Sequence, residues 1–94
     1  MDIKYFYFEV SEQQAIETEP DHIEEGVSPE QCFRMTRETM EGGAYRTALT
    51  LTDNGTPSLY YYTTLKGISC HEIDTRDNDM GRVSLSSEES RLPG

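Results

Sequence analysis

The residues best suited to metal or nucleophilic chemistry are two cysteines and two histidines: Cys32, Cys70, His22 and His71. Cys70 and His71 are adjacent on a predicted strand, where neighbouring side chains point to opposite faces, so they are poorly placed to share an ion or to form a nucleophile and its base. The sequence contains no Cys-x-x-Cys or His-x-x-x-His spacing of the kind found in zinc sites. A pairing of Cys32 with either histidine stays open, because chain spacing does not fix proximity in space. The sequence predicts neither a metal nor a cofactor.

Two cysteines are too few for a disulfide scaffold, and we interpret both as small buried hydrophobic residues. Catalysis would need a nucleophile, an oriented base and an oxyanion donor, and the predicted neighbours of His71 do not supply such a set. We therefore predict that the chain is not an enzyme. One alternative is a small ligand-binding domain or enzyme that uses His71 or Glu72 beside neighbouring tyrosines.

An aspartate-rich segment near the end of the chain has the residue types that bind calcium: Asp74, Asp77 and Asp79. If Gly81 is placed at position six of an EF-hand loop, Arg76 falls at position one and Ser87 at position twelve, where carboxylates are required. The segment therefore does not match an EF-hand. Weak calcium binding by the three aspartates stays open.

The charge of the chain is large and unevenly distributed. Its 94 residues include 18 acidic and 8 basic ones, for a formal net charge of −10. Residues 1–30 hold nine acidic residues and one basic residue, whereas residues 31–73 hold four of each. A net negative charge argues against direct nucleic-acid binding and against an anionic membrane surface, so we expect a protein partner with a basic surface.

The location of the protein is predicted from the apolar segments that it lacks. No stretch of the sequence approaches the roughly 20 apolar residues that span a bilayer. Residues 1–5 have neither the apolar core nor the cleavage site of a signal peptide. We therefore expect a cytoplasmic protein that does not bind membranes.

The pattern of apolar residues and turn residues predicts one helix and four strands. Residues 3–10 are rich in aromatic and β-branched residues and suit a strand, and residues 11–27 suit a long acidic connection with one helical turn at 12–16. A helix is expected from Ser28–Pro29 to residue 40 or 41, before Gly42–Gly43. Its apolar stripe consists of Cys32, Phe33, Thr36 and Met40.

Three further strands, over residues 44–52, 58–65 and 68–73, are separated by turn sequences and form a predicted antiparallel meander. The expected fold is α+β, with one helix packed on a four-stranded, mostly antiparallel sheet in the order β-loop-α-β-β-β. Residues 1–83 are expected to form a single domain, and residues 84–94 a flexible tail.

The predicted registers, with Leu65 opposite Ile68 and Leu51 opposite Leu59, divide the strand side chains between two faces. The face expected to receive the helix carries Tyr45, Thr47, Leu49, Leu51, Leu59, Tyr61, Thr63, Leu65, Ile68 and Cys70. The opposite face carries Arg46, Ala48, Thr50, Thr52, Tyr60, Tyr62, Thr64, Ser69, His71 and Ile73. Nothing in the predicted fold covers this second face.

A tyrosine-rich face of low charge is typical of an interface core, although tyrosine and threonine are also common on solvated sheet faces. Combined with the acidic segment, it predicts a small protein-binding module that inhibits or modulates its partner, comparable in charge and size to immunity proteins, antitoxins and phage proteins directed against host defence. The residues expected to bind are Tyr60, Tyr62, His71, Ile73, Arg46, Glu17, Glu19, Glu24 and Glu25. A homodimer that buries the tyrosine face on itself is a further alternative.

Overall fold

The computed structural model describes residues 1–73, which form one sheet and two helices. In chain order the elements are β1 (Asp2–Phe6), α1 (Glu12–Glu17), β2 (His22–Glu24), α2 (Pro29–Glu41), β3 (Thr47–Leu51), β4 (Pro57–Thr64) and β5 (Gly67–Glu72). The sheet is antiparallel, with the strand order β2-β1-β3-β4-β5. The α+β prediction is confirmed, with five strands in place of four. The predicted tail and the aspartates of segment 74–81 lie outside the described residues.

The predicted main helix is confirmed as α2, and its ends follow from local chemistry. Pro29 occupies the first turn, where its missing N–H costs nothing, and Gly43 follows the helix with a φ of 87°, a conformation that favours glycine. Ser28 is the N-cap residue but makes no side-chain capping bond. Helix α1 begins with a capping box, in which the side chains of Ser11 and Gln14 each accept a hydrogen bond from the other's backbone N–H.

Helix α2 covers one face of the sheet, where the larger core lies. Its buried residues are Cys32, Thr36 and Met40. They face a cluster that consists of Ile3, Tyr5, Val27, Ala48 and Tyr61. Phe33, which was predicted to belong to the buried stripe, is 46% exposed and lies at the margin of this core. Its ring centroid is 6.1 Å from that of Tyr61.

The opposite face of the sheet is also covered, contrary to the prediction. Helix α1 packs there with Ala15 fully buried, in a second cluster with Phe6, Leu49, Tyr60 and Ile73. The segment 11–27 thus folds back over β1 and β3 instead of forming an open connection. Only the helical turn within it was predicted. The sheet is therefore the middle layer between α2 and α1.

The register of β3 against β4 differs from the predicted one by a single position. Ala48 pairs with Tyr61 and Leu49 with Tyr60, and the register shifts between Leu49 and Leu51. A shift of one reverses the faces of a strand, so Leu49 and Leu51 lie on the α1 side, whereas Tyr61 lies under α2 as predicted. The irregularity at the end of β3 is the reason that counting across the loop fails.

The β4–β5 hairpin turns at Leu65 and Lys66, one residue earlier than predicted. Thr64 pairs with Gly67 and Thr63 with Ile68, so the register moves by two positions and each side chain keeps its predicted face. Leu65 was expected in the core, and the structure places it fully exposed at the tip of the turn. Among the described residues, neither helix is long and apolar enough to cross a membrane.

Candidate functional site

Exposed carboxylates are concentrated on α1, β2 and the turns that flank them. We define the acidic surface as Glu17, Glu19, Asp21, Glu24 and Glu25, all of which are exposed. Four of these five were predicted to bind a partner. Strand β2 is an exposed edge strand that pairs with β1, and it holds Glu24, with Asp21 and Glu25 directly before and after it. The acidic surface therefore borders one edge of the sheet.

The basic residue within residues 1–30, Lys4, does not neutralise this surface. Its side chain is only 8% exposed, and Nζ donates to the carbonyl oxygen of Ala15 at 2.8 Å and to that of Ile16 at 3.4 Å. Burial lowers the pKa of the Lys4 ammonium, and the carboxylate of Glu19 opposes that shift. Lys4 thus ties α1 to the sheet, and residues 1–30 expose carboxylates without an exposed basic side chain among them.

An aromatic stack lies beside the acidic surface; we define it as Tyr5, Tyr7, Tyr45 and His22. The ring of Tyr45 stacks on Tyr5 at 4.9 Å and on Tyr7 at 5.4 Å, and the ring of His22 lies 5.9 Å from Tyr5. Tyr7 is 52% exposed, and its backbone N–H donates to Asp21 Oδ2 at 2.8 Å. His22 Nε2 is 3.2 Å from Glu24 Oε1. These contacts join the aromatic stack to the acidic surface.

Phe8 extends the exposed aromatic surface, because this residue is 77% exposed. Sequence reasoning missed Tyr7 and Phe8 as surface residues because it assigned residues 7–10 to the first strand. The structure ends β1 at Phe6, after which both side chains of the pair are exposed. Adjacent exposed aromatic residues are uncommon on a solvated surface and mark Tyr7 and Phe8 as candidates for contact with a partner.

The predicted tyrosine face forms a real cluster, but its members differ in exposure. Tyr60 lies 5.5 Å from Tyr62 and 5.3 Å from His71 between ring centroids. The Tyr60 hydroxyl donates to the carbonyl oxygen of Val10, and burial raises its pKa. Tyr60 and Ile73 are 8% and 9% exposed, so each offers little area to a partner. Tyr62 is half-buried and His71 is exposed.

The remaining predicted site residues are divided between two locations. His71 Nε2 lies 2.7 Å from Glu12 Oε1, which connects β5 to α1 across the second face. Arg46, predicted to accompany the tyrosines, lines a groove beside the C-terminal end of α2 together with Arg37 and Lys66. The structure therefore brings Tyr60, Tyr62, His71 and Ile73 together and places Arg46 elsewhere.

The cysteines and histidines of the described residues differ in burial and in the groups that they contact. Cys32 is buried on the inner face of α2, and burial raises the pKa of its thiol, which disfavours the nucleophilic thiolate. Cys70 was predicted to be buried, but it lies exposed on the edge strand β5. The ring nitrogens of both histidines face glutamates. Within residues 1–73, no three histidine, cysteine or acidic side chains are grouped as metal ligands.

Comparison with known proteins leaves the interpretation to the residues themselves. The chain matches no protein-family model, no curated protein and no solved structure. The acidic surface and the exposed aromatic residues beside it form the candidate site, because these side chains are exposed and the contact between Tyr7 and Asp21 joins them.

Proposed function

We propose that the chain is a small protein-binding module whose acidic surface docks on a basic site of a partner protein and thereby inhibits or modulates that partner. The observation that carries the proposal is the burial of Lys4. Lys4, the lysine of residues 1–30, is buried and binds carbonyl oxygens, so residues 1–30 present carboxylates to an approaching molecule with no exposed lysine or arginine among them. Uncompensated charge of one sign accelerates encounter with a partner of opposite charge.

Exposed Tyr7 and Phe8 can supply short-range aromatic contacts, which carboxylates cannot make. Charge acts over long distances but is screened over about 10 Å at 0.1 M salt, whereas aromatic rings hold a partner once water is excluded. Because the backbone N–H of Tyr7 donates a hydrogen bond to Asp21 Oδ2, the aromatic pair and the carboxylates lie within one surface. We infer that the carboxylates set the rate of association and that the aromatic pair sets the rate of dissociation.

The test compares the wild type with two variants of equal charge. The acidic-surface variant carries Glu17→Gln, Glu19→Gln, Glu24→Gln and Glu25→Gln. The control variant carries Glu38→Gln, Glu41→Gln, Asp53→Asn and Glu72→Gln, four substitutions outside the acidic surface. Each protein is used to capture binding proteins from a lysate of the source cells, and quantitative mass spectrometry identifies those whose capture differs between the variants.

Kinetic measurement with the captured partner completes the test. We expect the acidic-surface variant to associate roughly tenfold more slowly at low salt, with a weaker salt dependence, and the control variant to resemble the wild type. A Phe8→Ala variant should leave the association rate unchanged and increase the dissociation rate. If association slowed equally in both charge variants, net charge alone would attract the partner, and the proposal would be wrong.

The tyrosine cluster supports a second candidate function, self-association, because Tyr62 and His71 keep exposed area on the second face. Sedimentation of the wild type and of Tyr62→Ala tests it directly. A dimer that Tyr62→Ala converts to a monomer would assign this face to a second copy of the chain. A monomeric wild type would exclude that assignment.

A further inference from the structure

A groove beside the C-terminal end of α2 has the dimensions of a small-molecule site. It lies between this helix end, the turn that leads into β3 and the β4–β5 turn, and its volume is about 440 Å³. Pockets of a few hundred Å³ are typical of sites for small ligands. The lining residues are Arg37, Met40, Glu41, Gly43, Tyr45, Arg46, Thr63, Lys66, Gly67 and Ile68.

The groove is basic, although the chain as a whole is strongly acidic. Residues 1–73 contain five basic side chains, and three of them, Arg37, Arg46 and Lys66, line this groove. They come from three separate elements: α2, the segment before β3 and the β4–β5 turn. Lys66 lies 20 residues beyond Arg46, so the fold of the sheet is what brings its charge beside those of Arg37 and Arg46.

The positive charges of the groove are only weakly compensated. Within residues 1–73, Arg46 and Lys66 have no carboxylate within ion-pair distance. Arg37 is 3.8 Å from Glu41 one helical turn away, which is a long contact between exposed side chains. Glu41 is the acidic side chain among the lining residues, so the lining carries a net positive charge.

One wall of the groove is apolar and rigid. Met40 is almost completely buried, and Ile68 is half-buried against the same core. The ring of Tyr45 is fixed by stacking between Tyr5 and Tyr7 and cannot easily turn away. A ligand in this groove would therefore meet positive charges and a preformed apolar surface at the same time.

We propose that the groove binds a small organic oxyanion, specifically a phosphate monoester attached to an apolar or aromatic group. Arginine and lysine are the side chains suited to phosphate oxygens, and the Thr63 hydroxyl lies in the same lining. Several positive charges match a phosphate dianion better than a monocarboxylate. The apolar group lies against Tyr45 and Ile68, the half-buried apolar residues of the lining. The groove shares Tyr45 with the aromatic stack but contains no residue of the acidic surface, so either proposal can fail without the other.

A purely structural role is the competing explanation for these basic residues. The C-terminal end of a helix carries a partial negative charge, which nearby cations stabilise. That role predicts that removing Arg46 or Lys66 lowers the thermal stability of the protein and that no oxyanion binds. Ligand binding and thermal stability are therefore measured on the same variants.

The experiment is a titration of the full chain with phenyl phosphate at low salt, followed by NMR of the backbone amides. We expect saturable shifts at groove residues, and dissociation constants raised about tenfold by Arg46→Gln and by Lys66→Gln. Arg34→Gln is the matched control, because it removes the same charge from an exposed position of α2 outside the groove lining. An equal rise in the dissociation constant of Arg34→Gln, or no saturable binding by the wild type, would overturn the proposal.

Three further probes test the two halves of the ligand. Inorganic phosphate should bind several-fold more weakly than phenyl phosphate, because it leaves Tyr45 and Ile68 uncovered, and phenol should not bind detectably. Equal affinity for the two phosphates would overturn the role of the apolar wall. Benzoate binding as tightly as phenyl phosphate would overturn the assignment of a phosphate dianion.

Discussion

Substitution of two leucines by alanine distinguishes the observed strand registers from those that the sequence favours. Leu49 is fully buried in the cluster under α1, whereas Leu65 is fully exposed at the tip of the β4–β5 turn. The sequence patterns had placed both residues in one core under α2. The same chemical change at the two positions should therefore have very different effects on the free energy of unfolding.

The magnitude follows from the burial of each side chain. Removing a buried leucine side chain costs its transfer free energy and leaves a cavity, which together amount to about 2–5 kcal/mol. Around Leu49, the large neighbours Phe6, Tyr60 and Ile73 come from different elements and cannot all move inward, so the upper part of that range is expected. Leu65→Ala removes little buried area and should change stability by less than about 0.5 kcal/mol.

Urea and thermal denaturation measure the difference. Leu49→Ala should lower the melting temperature by roughly 10 °C or more, and Leu65→Ala should leave it nearly unchanged. A Leu65→Ala variant destabilised as strongly as Leu49→Ala would show that the hairpin turns at Lys66 and Gly67 instead. That result would also remove Lys66 from the groove, because its place there depends on the observed turn.

Three further substitutions test other features of the fold. Tyr61→Phe removes a buried hydroxyl that makes no hydrogen bond within residues 1–73, so stability at pH 7 should be unchanged or higher. Burial raises the pKa of Tyr61, so the folded chain keeps a proton that the unfolded chain releases near pH 10. The free energy of unfolding therefore falls as the pH rises above about 10. Tyr61→Phe should reduce the slope of that fall by up to about 1.4 kcal/mol per pH unit, as measured by urea titrations at several pH values. Ser11→Ala breaks the capping box of α1 and should cost about 1 kcal/mol in denaturant unfolding, against little effect of Ser28→Ala, whose side chain makes no capping bond. Lys4→Met leaves the Ala15 and Ile16 carbonyls without their donor and should cost about 1.5–3 kcal/mol, with faster hydrogen exchange in α1 as its signature.

The elements that could be predicted from the sequence are those with strong local signals. Ser28–Pro29 and Gly42–Gly43 define α2, because proline fixes the φ that a first helical turn needs and glycine permits the positive φ found after the helix at Gly43. The run of three tyrosines and the threonines after it favour a strand at β4, and because neighbouring strand side chains point to opposite faces, Tyr61 faces α2 while Tyr60 faces α1. In these cases the local preference and the tertiary structure agree.

The features that could not be predicted depend on contacts distant in sequence. Strand β2 is three fully exposed residues without alternation, and only its pairing with β1 makes it a strand. The faces of β3 depend on one irregularity between Leu49 and Leu51, which leaves no mark in the residue types. The acidic surface followed from composition, but the basic groove did not, because its cations come from three separate elements.

The crowding of carboxylates on one surface affects the stability of the folded chain. Like charges repel one another, so the acidic surface lowers the stability of the folded chain without contributing to its core. Neutralising Glu17, Glu19, Glu24 and Glu25 relieves that repulsion while leaving the buried contacts of α1 intact. A variant that is at least as stable as the wild type cannot lose its partner through unfolding, so slower association in that variant would show directly that the carboxylates act in binding.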